Sequence, residues 1–219
     1  MLAPMSPRGK AGAGSATPTR PALSREFVAE HKRRRIMDAL AELSAEQGYE
    51  ATKISDVVKR AGVARKTLYD NFEGKEKVFL VAFDSARDAA VERVEASCAE
   101  VEGGWQEKVE AGLAAFLGYV AEEPALARMC MIEALSATPA TTKRYEDALQ
   151  AFVEMAQSRA PREGRLPETV DETLIGGVAW IVYRQIRRGE TEAAEDLLPE
   201  LTEFMITPYL AVGAGERTS

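Results

Sequence analysis

Apolar residues recur at intervals of three and four along most of the chain, and no stretch keeps the strict alternation of a strand. The pattern predicts an all-α fold of about nine helices. Ile54, Val57, Val58 and Ala61 fall on one face of a short helix, and Gly62 stands where that helix would end. Val63, Leu68 and Phe72 continue the apolar set, which puts Arg65, Lys66, Thr67, Tyr69 and Asn71 on the outward side of a second short helix. A longer helix over residues 24–47 comes before this pair, with Ile36, Leu40 and Leu43 inward and Gly48 closing it. Another, over 74–99, follows and stops before Gly103-Gly104. Breaks at Pro124, Thr138-Pro139, residues 161–167 and Gly189 divide the remainder into helices near 105–121, 125–136, 140–159, 168–188 and 193–210. Residues 1–22 lack helical periodicity and are rich in Gly, Ala, Pro and Ser, so they read as a flexible arm carrying Arg8, Lys10 and Arg20.

Charge sharpens this division. The chain has 219 residues and a formal net charge of -7, which is unpromising for a partner of nucleic acid until it is split. Residues 1–77 hold 15 Lys and Arg against 10 Asp and Glu, and the remainder holds 13 against 25. The first part is therefore basic by +5 and the second acidic by -12. Guanidinium, ammonium, hydroxyl, phenol and amide groups on the outer side of the second short helix are the kinds that reach phosphates and base edges. The basic run Lys32-Arg33-Arg34-Arg35 stands beside them as a further backbone contact or a solvated turn. The expected division is an arm over 1–22, a helix-turn-helix domain over 23–77 and a helical domain over 78–219.

Residues 32–82 resemble the DNA-binding domain of the tetracycline-repressor (TetR) family. The resemblance is carried by Gly48-Tyr49, Thr52, Ala61-Gly62-Val63, Thr67-Leu68-Tyr69, Phe72 and Lys75-Glu76. It implies that Arg65 and Lys66 meet base edges, that Thr52, Thr67, Tyr69 and Lys75 meet phosphates, and that Asn71 is a further candidate. Two positions depart from the family pattern: Ala64 stands where a Ser or Thr is usual, and Asn71 where a His is common. Without a hydroxyl, Ala64 leaves about 1 kcal/mol of capping out of the recognition helix.

The resemblance also implies a small-molecule pocket among the helices over 105–188 and a dimer built from the last two helices. Candidates for the pocket are Trp105, Phe116, Tyr119, Met129, Glu133, Phe152, Trp180, Tyr183 and Arg184, although large residues at helical spacing are core more often than ligand contacts. Glu133 is flanked by Met129, Cys130, Met131, Ile132, Ala134 and Leu135. A carboxylate there needs a partner. It could be an arginine such as Arg184, solvent on one wet side of the helix, or a cationic or hydrogen-bond-donating effector. The small residues around Gly176-Gly177, with Ile175 and Ala179, and the last helix's Leu201, Phe204 and Met205, suggest close packing against a second copy.

The expected function is a DNA-binding transcriptional regulator: a homodimeric repressor released from a near-palindromic operator by a largely apolar small molecule, without a cofactor. An activator or ligand-free architectural protein is the alternative. A helical enzyme fits less well, because His31 is the single histidine and Cys98 and Cys130, the two cysteines, have no metal-ligand spacing. No run of 18 apolar residues suggests a membrane span, and a cytoplasmic location is expected.

Overall fold

A computed structural model describes residues 25–161 and 166–215. The predicted arm over 1–22 lies outside them. Among the described residues the chain forms α1 (Arg25–Gln47), α2 (Ile54–Ala61), α3 (Arg65–Asn71), α4 (Lys75–Glu100), α5 (Trp105–Glu122), α6 (Pro124–Met131), α7 (Pro139–Arg159), α8 (Glu168–Arg187) and α9 (Leu198–Gly215), with no strand. Gly62 closes α2 at φ +61°, where its amide and that of Val63 reach back to Lys59 and Val58. A side chain at position 62 would also strike the Arg35 guanidinium, which donates to the Gly62 carbonyl at 3.3 Å. At α7, Thr138 and Thr141 exchange side-chain-to-backbone hydrogen bonds at 3.0 and 3.2 Å, and Pro139 opens the helix.

Two expected helices end differently. The one placed over 125–136 stops at Met131; Ile132 takes φ -115° and ψ -59°, and a 3-10 turn, Glu133–Leu135, follows. The one placed over 193–210 is a 3-10 segment, Thr191–Leu197, leading into α9, which continues through Pro208. Pro199 falls in the first turn of α9, where a missing N–H costs nothing.

Two apolar cores result. The first joins α1, α2 and α3 through Ile36, Leu40, Val57, Leu68 and Phe72 to the start of α4 at Val78, Phe79 and Phe83, and includes Met129 and Ala134 from beyond it. This core crosses residue 77, so α1, α2 and α3 form a head that is locked to the first turns of α4. The second joins α5, α8 and α9 through Leu117, Leu174, Val178, Val182, Leu201 and Met205.

Asp38 lies where α1 meets the α5–α6 corner. Burial raises its carboxyl above the ordinary range, and Glu123 and Glu42 add to the rise against Arg34 and His31. A raised folded-state pKa means that stability held at acid pH is lost as pH rises through it. Asp38→Asn avoids that loss. Its melting temperature should exceed the wild type's at pH 7, with the difference narrowing as pH falls to about 4, near the unfolded carboxyl's pKa; a difference independent of pH would assign it to packing.

Candidate nucleic-acid interface and effector cavity

On α3, Arg65 and Lys66 are exposed and Tyr69 is 46% exposed, while Leu68 is fully buried beneath them. The Arg65 guanidinium lies 5.7 Å from the Tyr69 ring centre and donates to its hydroxyl at 3.4 Å, so the two form one outward-facing unit. Thr67 is half-buried beside them. Asn71 donates its amide to the Thr67 carbonyl at 2.7 Å, which ties that side chain to its own helix. Ala64 caps nothing with its side chain.

Two expected phosphate contacts are engaged elsewhere. Thr52 is 1% exposed; its hydroxyl donates to the Gly48 carbonyl at 2.8 Å and accepts from Gln47 at 3.4 Å. The residue that flanks the start of α2 is Lys53, not Thr52. Lys75 places its ammonium 2.8 Å from the Tyr49 carbonyl, 3.0 Å from that of Thr52 and 3.9 Å from the centre of the Tyr49 ring. Burial lowers its pKa against the opposing influence of Glu50. Both residues brace the α1–α2 turn from inside. In the basic run, Arg33 stacks 4.7 Å over the Phe72 ring and Arg35 holds Gly62, which leaves Lys32 and Arg34 outward.

The second feature is a cavity of about 200 Å³ walled by α4, α5 and α7 and closed by parts of α6, α8 and α9. Along α4 its lining runs from Phe83 through Ala86, Ala90 and Val94 to Cys98. At 1.5 Å per residue that is a length of about 22 Å. The other long walls run beside it. Ion pairs from Asp84 to Arg144 and from Glu95 to Arg159, both at 3.6 Å, set α7 parallel to α4, and the Cys98 thiol meets the Lys108 carbonyl at 3.3 Å on an antiparallel α5. The cavity is thus a tube with distinct ends. The end near the head has Phe83, Arg87, Cys130 and Tyr145. The far end has Trp105, Lys108, Arg159 and Tyr209, with Trp105 and Tyr209 rings 4.6 Å apart. Arg87 is committed to Asp84 and Asp88 at 3.4 and 2.7 Å. At the far end Arg159 pairs with Glu95 at 3.6 Å and donates to the Met155 carbonyl at 3.2 Å, and Lys108 has no side-chain partner among the described residues. The same end carries two carboxylates, Glu95 beside Arg159 and the buried Asp171, which accepts from the Tyr209 hydroxyl, so Lys108 is the cation there without an acidic partner among the described residues. Burial pushes the Tyr119 phenol and the Cys130 thiol each up to about 12, helped at Tyr119 by Cys130 and Glu123 and at Cys130 by Asp84, so both face the tube uncharged at neutral pH.

Of the expected pocket residues, Trp105, Phe116, Tyr119 and Phe152 line the tube. Met129 does not: it is fully buried in the core shared with the head. Glu133 does not face it either, since its carboxylate accepts the Tyr49 amide hydrogen at 2.8 Å. Nor does it pair with Arg184, which is exposed on α8. Trp180 is 60% exposed and stacks on Tyr183 at 5.4 Å, on the outer side of α8. The expected dimer residues also separate. Ile175, Ala179 and Met205 line the tube, and Leu201 is buried in the second core. Gly176 is open on its Cβ side, and the exposed Phe204 ring lies against Gly177. The outward stripe of α8 and α9 is Gly176, Trp180, Tyr183 and Phe204. The pocket expected from sequence omits the whole α4 wall, because that helix reads as a link between domains. Its signal is the spacing of Phe83, Ala86, Ala90, Val94 and Cys98, which marks an inward face.

Residues 36–82 match the model of bacterial regulatory proteins, tetR family. A fatty acid metabolism regulator protein of Bacillus subtilis (strain 168) is 26% identical over 166 residues, covering 68% of this chain and 84% of that protein. The structure of the transcriptional regulator FadR from Bacillus subtilis in complex with stearoyl-CoA aligns with a TM-score of 0.70 at 21% identity, over 80% of this chain and 98% of the other. FadR from Bacillus halodurans, a fatty acid degradation regulator, aligns with 0.71 at 19% identity, over 80% and 94%. At such identities the structural likeness establishes a shared fold.

Proposed function

We propose that this chain, which belongs to the tetR family of bacterial regulatory proteins through its reading head, is a homodimeric repressor whose effector is a long acyl chain bearing an anionic head. DNA binding and transcriptional regulation come with the family. The acyl reading is carried by the tube: apolar along about 22 Å of helix, with the side chains of Lys108 and Arg159 at one end. A hydrocarbon chain is the ligand class that suits such a lining, and an anionic head at that end would meet the Lys108 ammonium. The fatty-acid relatives agree with it. Effector and operator then compete by binding two states of the head differently.

Stearoyl-CoA titrated into the purified protein should bind. Each methylene removed from the chain should weaken binding about fourfold, from about 0.8 kcal/mol per buried methylene. Lys108→Glu should weaken every member of the series by a common factor without changing that slope. Absence of binding by any acyl-CoA sinks the acyl reading. A fragment selected from genomic DNA by the protein should be released when stearoyl-CoA is added; tighter binding on addition would make the protein a ligand-dependent binder instead.

Self-association is assigned to the stripe of Gly176, Trp180, Tyr183 and Phe204, because a Trp 60% exposed beside a stacked Tyr is costly in water. Trp180→Glu should shift sedimentation from dimer to monomer at micromolar concentration. A variant that stays dimeric would place the contact elsewhere. Two recognition helices so joined predict a near-palindromic operator in the cytoplasm.

A further inference from the structure

We infer that Glu133 is the positioning residue through which the state of the tube reaches the reading head, an inference that rests on reading the tube as an effector site. Glu133 opens the 3-10 turn that follows α6. Leu126, Cys130 and Met131 of α6 wall the tube, so this turn is the direct continuation of that wall. Its other side is fastened to α7: the hydroxyls of Thr141 and Thr142 donate to the Ala134 carbonyl at 2.8 and 3.3 Å. α7 lines the same tube through Tyr145 and Ala148. A ligand that spreads either helix moves the turn with it.

From the turn, the Glu133 carboxylate crosses to the head and accepts the backbone hydrogen of Tyr49 at 2.8 Å. Tyr49 is 6% exposed, so releasing that amide would strand a buried donor. The turn of the head therefore follows the carboxylate. A charged acceptor also makes this hydrogen bond stronger than one between neutral groups. The Tyr49 carbonyl accepts from the Thr52 amide at 3.1 Å and from Lys75, which also holds the Thr52 carbonyl. Lys53, the residue that precedes the first turn of α2, comes next. A displacement at the Tyr49 amide thus arrives at the start of α2, and α2 packs against α3.

The test measures amide hydrogen exchange over residues 50–61 of the full chain, which leaves out Tyr49 itself. Wild type, Glu133→Ala and Glu133→Gln are compared, each with and without stearoyl-CoA and each with and without Ala90→Leu, which adds atoms to the α4 wall of the tube. Filling the tube either way should change exchange over 50–61 by at least threefold in the wild type and in the Glu133→Gln variant, which keeps an acceptor oxygen. In the Glu133→Ala variant the change should fall below about 1.5-fold while stearoyl-CoA affinity stays within twofold. An equal response with and without the glutamate, or no response in the wild type to either filling, overturns the inference. Failure of stearoyl-CoA to bind the wild type defeats the acyl reading alone, and the Ala90→Leu comparison then decides the coupling. If the Glu133→Ala variant does not fold, Glu133→Asp replaces it, withdrawing the oxygen by about one carbon–carbon bond, ~1.5 Å. Glu133→Asp should then lose the response that Glu133→Gln retains, and the reverse order overturns the inference.

Discussion

Lys66→Ala combined with Tyr69→Ala should lower affinity for the selected operator by about a hundredfold or more, while leaving the melting temperature in place. Both side chains are exposed on α3, above a fully buried Leu68 that keeps the helix seated. Removing exposed groups leaves the core unchanged. A side chain that reads a base edge is worth about 1–3 kcal/mol, and removing a cation from a phosphate makes the salt slope shallower by about 1. Tyr69 has a second role, since its hydroxyl and ring hold the Arg65 guanidinium. Its removal frees Arg65 as well, so the double variant should weaken binding more than two independent groups would. Binding measured over a salt series separates the cases. A shallower slope with specificity kept would place Lys66 and Tyr69 on phosphates, and relaxed specificity would place them on bases. Equal binding by both proteins would remove α3 as the reading element.

Phe79→Ala should cost about 3–5 kcal/mol, the usual range for emptying a buried aromatic site. Phe79 is 0% exposed and meets the Tyr49 ring edge-on at 5.3 Å, and Tyr49 is covered in turn by the Lys75 ammonium. The hole would open beneath that stack, and the edge-on ring pair adds about 0.5–1.5 kcal/mol to the effect of the area exposed. For a chain of this length each kcal/mol moves the melting temperature by about 2–4 °C, so a fall of about 6–20 °C is expected at fixed protein concentration. Because the damage falls on the first core, operator binding should fail at a temperature where stearoyl-CoA still binds. Simultaneous failure of both activities would show that the two cores melt as one unit.

The reading head is legible in the sequence because its constraints are local. Helix spacing from Ile54 to Ala61, a glycine needed at φ +61°, and a polar outer face on Arg65 to Asn71 all fall within a short stretch of chain. The long helices are legible for the same reason, with Thr138-Pro139 as a start and Gly103-Gly104 as a gap. Features set by distant partners are not. Thr52 and Lys75 have the chemistry of phosphate ligands, but their donors are consumed by the carbonyls of residues 48, 49 and 52. Glu133 stands out in the sequence as a carboxylate in need of a partner; the partner is a backbone amide 84 positions earlier, which no side-chain pattern marks. Ile175 and Ala179 differ from Gly176 and Trp180 by single steps around one helix. Which side faces a tube and which faces outward depends on where α5 and α7 lie, and the spacing within α8 is silent on that.

α3 has seven residues, and Ala64, which precedes it, supplies no side-chain cap. A helix that short does not hold itself together in water. Its order is lent by Leu68 and Phe72 below and by the Arg33 guanidinium stacked on Phe72. The exposed face of α3 is therefore only as rigid as the bed beneath it. A regulator built this way can be disarmed from behind: loosening the bed blurs the reading surface before any group facing the DNA has moved.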